Sequence, residues 1–338
     1  MNEITRFEID MLDIGAADAF LIHAFRKSNN GGEWEYIVLV DAGNECDGKK
    51  IKEHIDKYYT QKYIDLAICT HCDSDHYGGF KYLIENDVDI KKFWIHDPYQ
   101  HVDVDDVKYV QKDGTLRDRL NAAYAFKDGS SLLDLLDDYS INREEVFTGD
   151  TYNPLNIEVL GPDLEYYESL IPDFRVDLEF KEEPDDDYED TRYFSEQRKN
   201  ELYSQALEDA NDDTSSVNQS SIIFSFKAKG MVYIFTGDAG KEALHRVVDY
   251  DYENEYKSVR WLKVPHHGSK HNLDNEIISH FKPQSSYIST ERYGKYANRC
   301  TVNALKQVGN VYSTHHQGTM CHQQNMGARP GYSTAKPL

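Results

Sequence analysis

Apolar and polar positions along the first forty residues follow the period of a strand. "RFEIDMLDI" and "AFLIHAFR" alternate, "YIVLVDAG" is a nearly continuous apolar run, and "NNGGEW" between the last two is a hairpin-type turn. A β-meander is predicted there. The spacing then lengthens to three and four in "GKKIKEHIDKYYTQ", which predicts a helix, and "IDLAICT" returns to the short apolar run of a buried strand. "GGFKYLIEN" begins another helix, "IKKFWIHD" reads as a strand, and "SSLLDLLDDYS" as a helix capped by Ser130 or Ser131. Beyond Asp150 the pattern restarts. A strand "LNIEVLGP" and a helix "SEQRKNELYSQALEDA" precede a hairpin in "SSIIFSFKAKGMVYIFTGDAG" around Lys229 and Gly230. Helix "KEALHRVV", strands "SVRWLKVPHHGS" and "SSYIST", helix "TVNALKQVG" and a last strand or hairpin "VYSTHHQGTM" complete the chain. Two halves, each a sheet followed by helices, predict an α/β fold of four layers, with two facing sheets covered on the outside by helices. A chain of 338 residues accommodates this as a single domain, 1–338.

Charge changes this picture in one place. The net charge of −23 argues against anionic partners, but it is unevenly distributed. Residues 163–213 hold 19 acids and 5 bases, including "EEPDDDYED", whereas residues 260–338 hold 10 Lys and Arg and 3 acids. The first stretch reads as a solvated acidic insertion rather than a functional acidic lid, and it is a candidate docking surface for a protein partner. The second leaves the C-terminal quarter basic. Acidic groups in "MNEITRFEID" and the lack of a long apolar run predict a cytoplasmic protein with no membrane partner. Five scattered cysteines predict reduced thiols rather than a disulfide framework.

Candidate chemistry concentrates in "CTHCDSDHYGGF", which follows the buried strand "IDLAICT". His71, Asp73, Asp75 and His76 supply four nitrogen and oxygen donors of the kind that bind zinc or manganese. Alternate positions of an extended segment point the same way, so His71 and Asp73 can face one ion while Asp75 and His76 face another. Gly78 and Gly79 let the backbone bend after them. A solvated surface cluster is the plain alternative, and it sits poorly at the end of a buried strand.

"THCDSDHYGG" resembles the H-x-D-x-D-H signature of the metallo-β-lactamase superfamily, in the variant with aspartate at the second position. "DIGAADAFLI", "VLVDAG", "VNQSSIIFSF", "FTGDAG" and "LKVPHHGS" are similar, in the same order, to segments of the metallo-β-lactamase domain of competence DNA-uptake proteins. The matches run from about residue 6 to residue 320 and leave residues 85–150 and the acidic insertion uncovered. The resemblance implies a four-layer αββα sandwich and two divalent metal ions, zinc ahead of manganese. It makes Asp238 the carboxylate bridging the ions and His266 a further ligand, so that His71, Asp73, Asp75, His76, Asp238 and His266 form the metal set. Asp75 and His267 are the expected catalytic groups, with His267 as proton donor, substrate contact or support to a ligand, and an ordinary hydrogen-bonded loop histidine as the alternative. An unpaired carboxylate at the end of the apolar strand "VYIFTGD" would be costly without a cation, which agrees with the role of Asp238.

His96 or His101 is a candidate for one more ligand, with an ordinary hydrogen-bonded loop histidine as the alternative. Asn298, Arg292 and Arg299 are candidates for gripping an anionic substrate. "THHQGTMCH", with His315, His316, Cys321 and His322, reads as the flank of a closing hairpin rather than a second zinc site, and Cys72 as a passive thiol. Ions that lower the pKa of bound water and a basic C-terminal quarter together predict a phosphodiesterase or nuclease acting on nucleic acid or nucleotides. A metal-dependent esterase or lactonase and a non-enzymatic subunit of a larger assembly are the other two classes.

Overall fold

The computed structural model describes residues 3–28, 30–103, 115–174, 196–212, 214–291 and 297–338. Its strands are β1 (Ile4–Met11), β2 (Phe20–Lys27), β3 (Glu33–Val40), β4 (Leu66–Ile68), β5 (Phe93–Trp94), β6 (Arg143–Glu144) and β7 (Thr151–Tyr152) in the first half. The second half adds β8 (Ile157–Gly161), β9 (Ile223–Ala228), β10 (Met231–Phe235), β11 (Trp261–Lys263), β12 (Ser285–Ile288), β13 (Asn310–Ser313) and β14 (Met320–Gln324). They form two seven-stranded mixed sheets, β14-β1-β2-β3-β4-β5-β6 and β13-β12-β11-β10-β9-β8-β7.

Three apolar clusters make the four layers. Phe7, Phe20, Ile22, Phe224, Phe226, Phe235 and Trp261 lie between the facing sheets. Leu39, Ala67 and Phe93 turn outward onto the helix Gly48–Tyr58, through Ile51 and Ile55, and onto Phe80 and Leu83 of Phe80–Glu85. On the far side Ile234, Leu262 and Ile288 pack against Leu244 and Val247 of Lys241–Tyr250 and Ile277 of Asn275–Phe281. Strands β4, β9, β10 and β11 are therefore apolar on both faces, which is why they read as continuous apolar runs.

Two sequence expectations need correction. "VYSTHHQGTM" is no hairpin: β13 edges the second sheet, β14 crosses to pair antiparallel with β1 in the first, and the short helix Thr314–Gln317 links them. Gly78 and Gly79 do not supply a special bend, because both have ordinary helical backbone angles. They are needed for close approach. A Cβ on Gly79 would lie 2.1 Å from the carbonyl oxygen of Ala42, and one on Gly78 would lie 2.5 Å from the backbone nitrogen of Glu45.

Of the proposed insertion, the helix Glu196–Asp209 packs into the fold: Leu207 is fully buried in the outer cluster, and Lys241 donates to the carbonyls of Leu207 and Ala210. The acidic run at 182–190 lies outside the described residues. Among the described residues, no helix is long and apolar enough to cross a membrane.

Candidate metal centre

The chemistry gathers where strands of both sheets end. β4 delivers Thr70 and His71, then the short helix Ser74–Tyr77 carries Asp75 and His76, with Asp73 just before it. Asp41 follows β3, Asp238 follows β10, and His266 and His267 follow β11. Asp41, His266 and His267 all have positive φ, 54°, 45° and 50°, which costs energy in a residue other than glycine and is kept where the surroundings enforce it.

The imidazoles are held by one nitrogen each. His71 Nδ1 lies 3.0 Å from Thr70 Oγ1, whose hydroxyl donates to Asp41, and 3.3 Å from Ser221 Oγ, which accepts the amide of Asp238. His76 Nδ1 lies 2.8 Å from Asp41 Oδ2. His267 Nδ1 donates to the carbonyl of Ser289 at 2.8 Å. In each ring the Nε2 side is thus left for the site, the arrangement that orients histidines toward a metal. His76 Nε2 is 3.3 Å from Asp238 Oδ2 and 3.8 Å from Asp75 Oδ2, while His267 Nε2 is 3.3 Å from Asp75 Oδ2. His71 Nε2 is 3.6 Å from Asp73 Oδ2.

Three overlapping donor groups result among the described residues, each with ligand atoms within 4.8 Å of one another: His71–His76–Asp238 and Asp75–His76–His267 at the opening, and Asp18–Asp41–His76 behind them. Buried Nε2 of His71 and Oδ1 of Asp73 have no hydrogen-bond partner, and Nε2 of His76 makes no well-aligned one beyond its ion pair with Asp238. Leaving such atoms unsatisfied costs about 1–3 kcal/mol each, so several at one spot fit a cation. The side chains of His71, His76 and His267 are inaccessible, whereas Asp73 and Asp75 are 17% and 16% exposed and mark the opening.

The electrostatics show the same demand for positive charge. Burial disfavours the His76 imidazolium, but Asp238, Asp41 and Asp75 outweigh it and push its pKa well up. Burial also raises Asp75, yet His76 and His267 hold it down at about 2. Asp238 is held well below the carboxylate range against its burial, chiefly by Lys263 and His76.

The two adjacent histidines, expected as ligand and catalytic group, differ in their surroundings. His267, not His266, joins Asp75 and His76. His266 turns its Nδ1 toward Asn272 Oδ1 at 3.3 Å and Asn218 Nδ2 at 3.5 Å, and its contribution to Asp238 is a backbone N–H to Oδ1 at 3.1 Å. His96 is away from the cluster: its Nε2 donates to the Val146 carbonyl at 2.7 Å, and its ring stacks on Phe147. His101 lies between Glu145 and Glu168. Asn298 caps the helix Arg299–Lys306, accepting the amide of Cys300, and its own N–H donates to Gly268, which brings Arg299 beside the His-His-Gly loop. Arg292 lies outside the described residues. His315 and His316 are exposed on the linking helix, and Cys321 and His322 lie on β14, so these four form no site among the described residues. Burial pushes the Cys72 thiol well up, which keeps it neutral.

Sequence reasoning gave no role to Asp18, Asp41, Ser221 or Lys263. The available signal was charge at the ends of apolar runs: Asp18 between β1 and β2, Asp41 after "YIVLV", and Lys263 in "WLKV".

Residues 32–129 match the family model of the metallo-beta-lactamase superfamily. An 84-residue stretch is 36% identical to ComE operon protein 3 of Bacillus subtilis (strain 168), covering 25% of this chain and 10% of that protein. Among solved structures, the CmlA beta-hydroxylase E377D mutant aligns over 94% of this chain and 54% of its own, at 10% identity and a TM-score of 0.42. The metallo-beta-lactamase SMB-1 aligns over 88% of this chain and 92% of its own, at 9% identity and a TM-score of 0.34. The chain spans a tenth of the length of the curated relative and about half that of the CmlA hydroxylase.

Proposed function

We propose that this chain, which belongs to the metallo-β-lactamase superfamily, is a binuclear metal-dependent hydrolase that cleaves phosphodiesters of nucleic acids or nucleotides. The observation that carries the metal reading is the set of buried donors left unsatisfied, His71 Nε2, His76 Nε2 and Asp73 Oδ1, around Asp238. His71 and Asp73 would hold one ion and Asp75 and His267 the other, with His76 and Asp238 between them. Neutral imidazole and carboxylate donors suit zinc, then manganese. Such ions lower the pKa of water and polarise the group attacked.

The chain's own groups prepare the site. Asp41, Thr70 and Ser289 fix the ring nitrogens that face away from it, so each Nε2 points inward and would offer its lone pair to an ion that takes the place of the proton. Asp75, ionised down to a pH of about 2, serves as a permanent anion at the opening rather than as an acid. His267 acts through metal binding in this reading, not as a free proton donor. Three ligand carboxylates, Asp73, Asp75 and Asp238, would offset three of the four charges that two divalent ions bring, and open positions on the ions at the mouth of the site would take a phosphodiester anion. Arg299, next to Asn298 at the His-His-Gly loop, is the candidate cation for gripping that anion.

Elemental analysis and a substrate screen test this. The expected result is close to two ions per chain, and hydrolysis of bis-p-nitrophenyl phosphate, single-stranded DNA or RNA that weakens with added salt. Rapid hydrolysis of a neutral lactone, with no phosphodiester cleaved under zinc or manganese, would replace this reading with the esterase one.

A further inference from the structure

We infer that Lys263 is a positioning residue of the metal centre: held by Asp18, its ammonium occupies Oδ1 of Asp238 and so commits that carboxylate to the ions through Oδ2 alone. The inference rests on the metal reading above and concerns residues to which that reading gives no part.

Lys263 ends β11 and Asp238 follows the neighbouring parallel strand β10, so the fold sets the two side by side. Both are buried, Lys263 at 2% exposure and Asp238 at 3%. The ammonium lies 3.0 Å from Asp238 Oδ1, donates to the Gly237 carbonyl at 2.6 Å, and forms an ion pair with Asp18, which is fully buried. Oδ1 also accepts the backbone N–H of His266 at 3.1 Å. Two donors thus fill one oxygen of Asp238, and the other, Oδ2, is the one that lies 3.3 Å from His76 Nε2. Asp18 is itself tied to the metal loop: its N–H donates to the Asp75 carbonyl at 3.2 Å, and its carbonyl accepts the N–H of Gly43 at 2.8 Å.

A carboxylate beside two ions can bind through one oxygen or both, and a cation on one of them decides the matter. A buried lysine alone would weaken metal binding by adding charge. Paired with Asp18 it adds none, so it steers Asp238 without repelling the ions. A lysine serving only to pack β11 would need neither Asp18 nor a bond to the metal carboxylate.

The test compares Lys263→Met, Asp18→Asn and the double variant with the wild-type chain, reading zinc affinity by chelator competition and the visible spectrum of the cobalt(II) form, which reports coordination number. Lys263→Met adds one net negative charge and leaves the His266 N–H as the remaining donor on Oδ1. It should bind zinc roughly tenfold more tightly and shift the cobalt spectrum toward higher coordination. Asp18→Asn should bind roughly tenfold more weakly. The double variant restores the charge balance, so its affinity should return to within about threefold of wild type while the altered spectrum persists. Should buried Asp18 prevent Lys263→Met from folding, the double variant alone still carries the test through its spectrum. Unchanged cobalt spectra in the folded variants, or a double variant that binds zinc no better than the weaker single one, would overturn the inference. Wild-type protein that binds no zinc or cobalt would instead overturn the metal reading beneath it.

Discussion

Two buried clusters of carboxylate and imidazole lie in this fold, and they answer the same electrostatic problem differently. At the proposed metal centre His71, His76, Asp73, Asp75 and Asp238 converge with several donor atoms unsatisfied. The other cluster is built on β1 and β2, where Glu8, Asp10 and His23 are buried beside His54 of the helix Gly48–Tyr58. There the chain brings its own cation. Arg329 Nη1 donates to Asp10 Oδ1 at 2.6 Å and Nη2 lies 2.6 Å from Glu8 Oε1, while His54 and Tyr59 take the second oxygen of Asp10. Burial raises Asp10, but His54 and Arg329 hold it below the usual range. Carboxylates and histidines packed together therefore do not by themselves mark a metal site. What separates the two clusters is what the chain's own cations leave over: Arg329, His54 and Tyr59 engage both oxygens of Asp10, whereas Lys263 reaches only Oδ1 of Asp238 and leaves His71 Nε2, His76 Nε2 and Asp73 Oδ1 unsatisfied.

The sharpest way to break the comparison is to remove the charge on which the metal centre turns. Asp238→Asn keeps the volume and loses the carboxylate set between the two proposed ions, so turnover should fall at least about a thousandfold. Metal content should drop below two per chain with a folded structure retained. A variant with full metal content and near-normal phosphodiester cleavage would show that Asp238 is not at the centre.

The next largest effect belongs to the other cluster. Arg329→Met leaves Asp10 and Glu8 buried without their guanidinium, and breaking a buried pair in this way costs about 3–5 kcal/mol. Chemical denaturation should show that loss at neutral pH, and added zinc should not repair it, because Asp10 Oδ2 is already engaged by His54 and Tyr59. Restoration by zinc would mean that the two clusters are alike after all.

The sequence made the layers legible because their period is local. Alternation in β1–β3, the continuous runs of β4 and β11 and the helical spacing of Lys241–Tyr250 each follow from which faces are buried. The crossing from β13 to β14 was not legible, since "VYSTHHQGTM" has the same strand–turn–strand pattern whether its strands pair or part. Site residues followed the same division. The donor-rich loop after β4 stood out by composition alone. Which way each of His266 and His267 faces depends on backbone angles and on Ser289, 22 residues further along the chain, which no spacing reports. Lys263 and Asp18 were missed for a related reason: a charge inside an apolar run announces burial but not its partner.

His96 extends the comparison to a buried histidine with no countercharge at all, and it gives the smallest of the three effects. Phe147 and Tyr167 flank the ring and its Nε2 donates to Val146, so burial lowers its pKa to about 4, the reverse of His76. The unfolded chain would protonate it near 6.5. Because the folded value is the lower one, the unfolded state takes up the proton first as pH falls. The contribution of neutral His96 is complete above about pH 6.5 and is lost progressively down to about 4, which amounts to about 2 kcal/mol between pH 7 and pH 5. His96→Phe preserves the aromatic packing and removes this titration, although losing the bond to Val146 lowers stability by about 1–3 kcal/mol at every pH. The informative quantity is therefore the slope. Measured with chelator present, so that metal release at low pH does not contribute, unfolding free energy should fall about 2 kcal/mol less from pH 7 to pH 5 in the variant than in the wild-type chain. An equal fall in both would mean that His96 is charged in the folded protein and has a carboxylate or solvent beside it rather than the two rings.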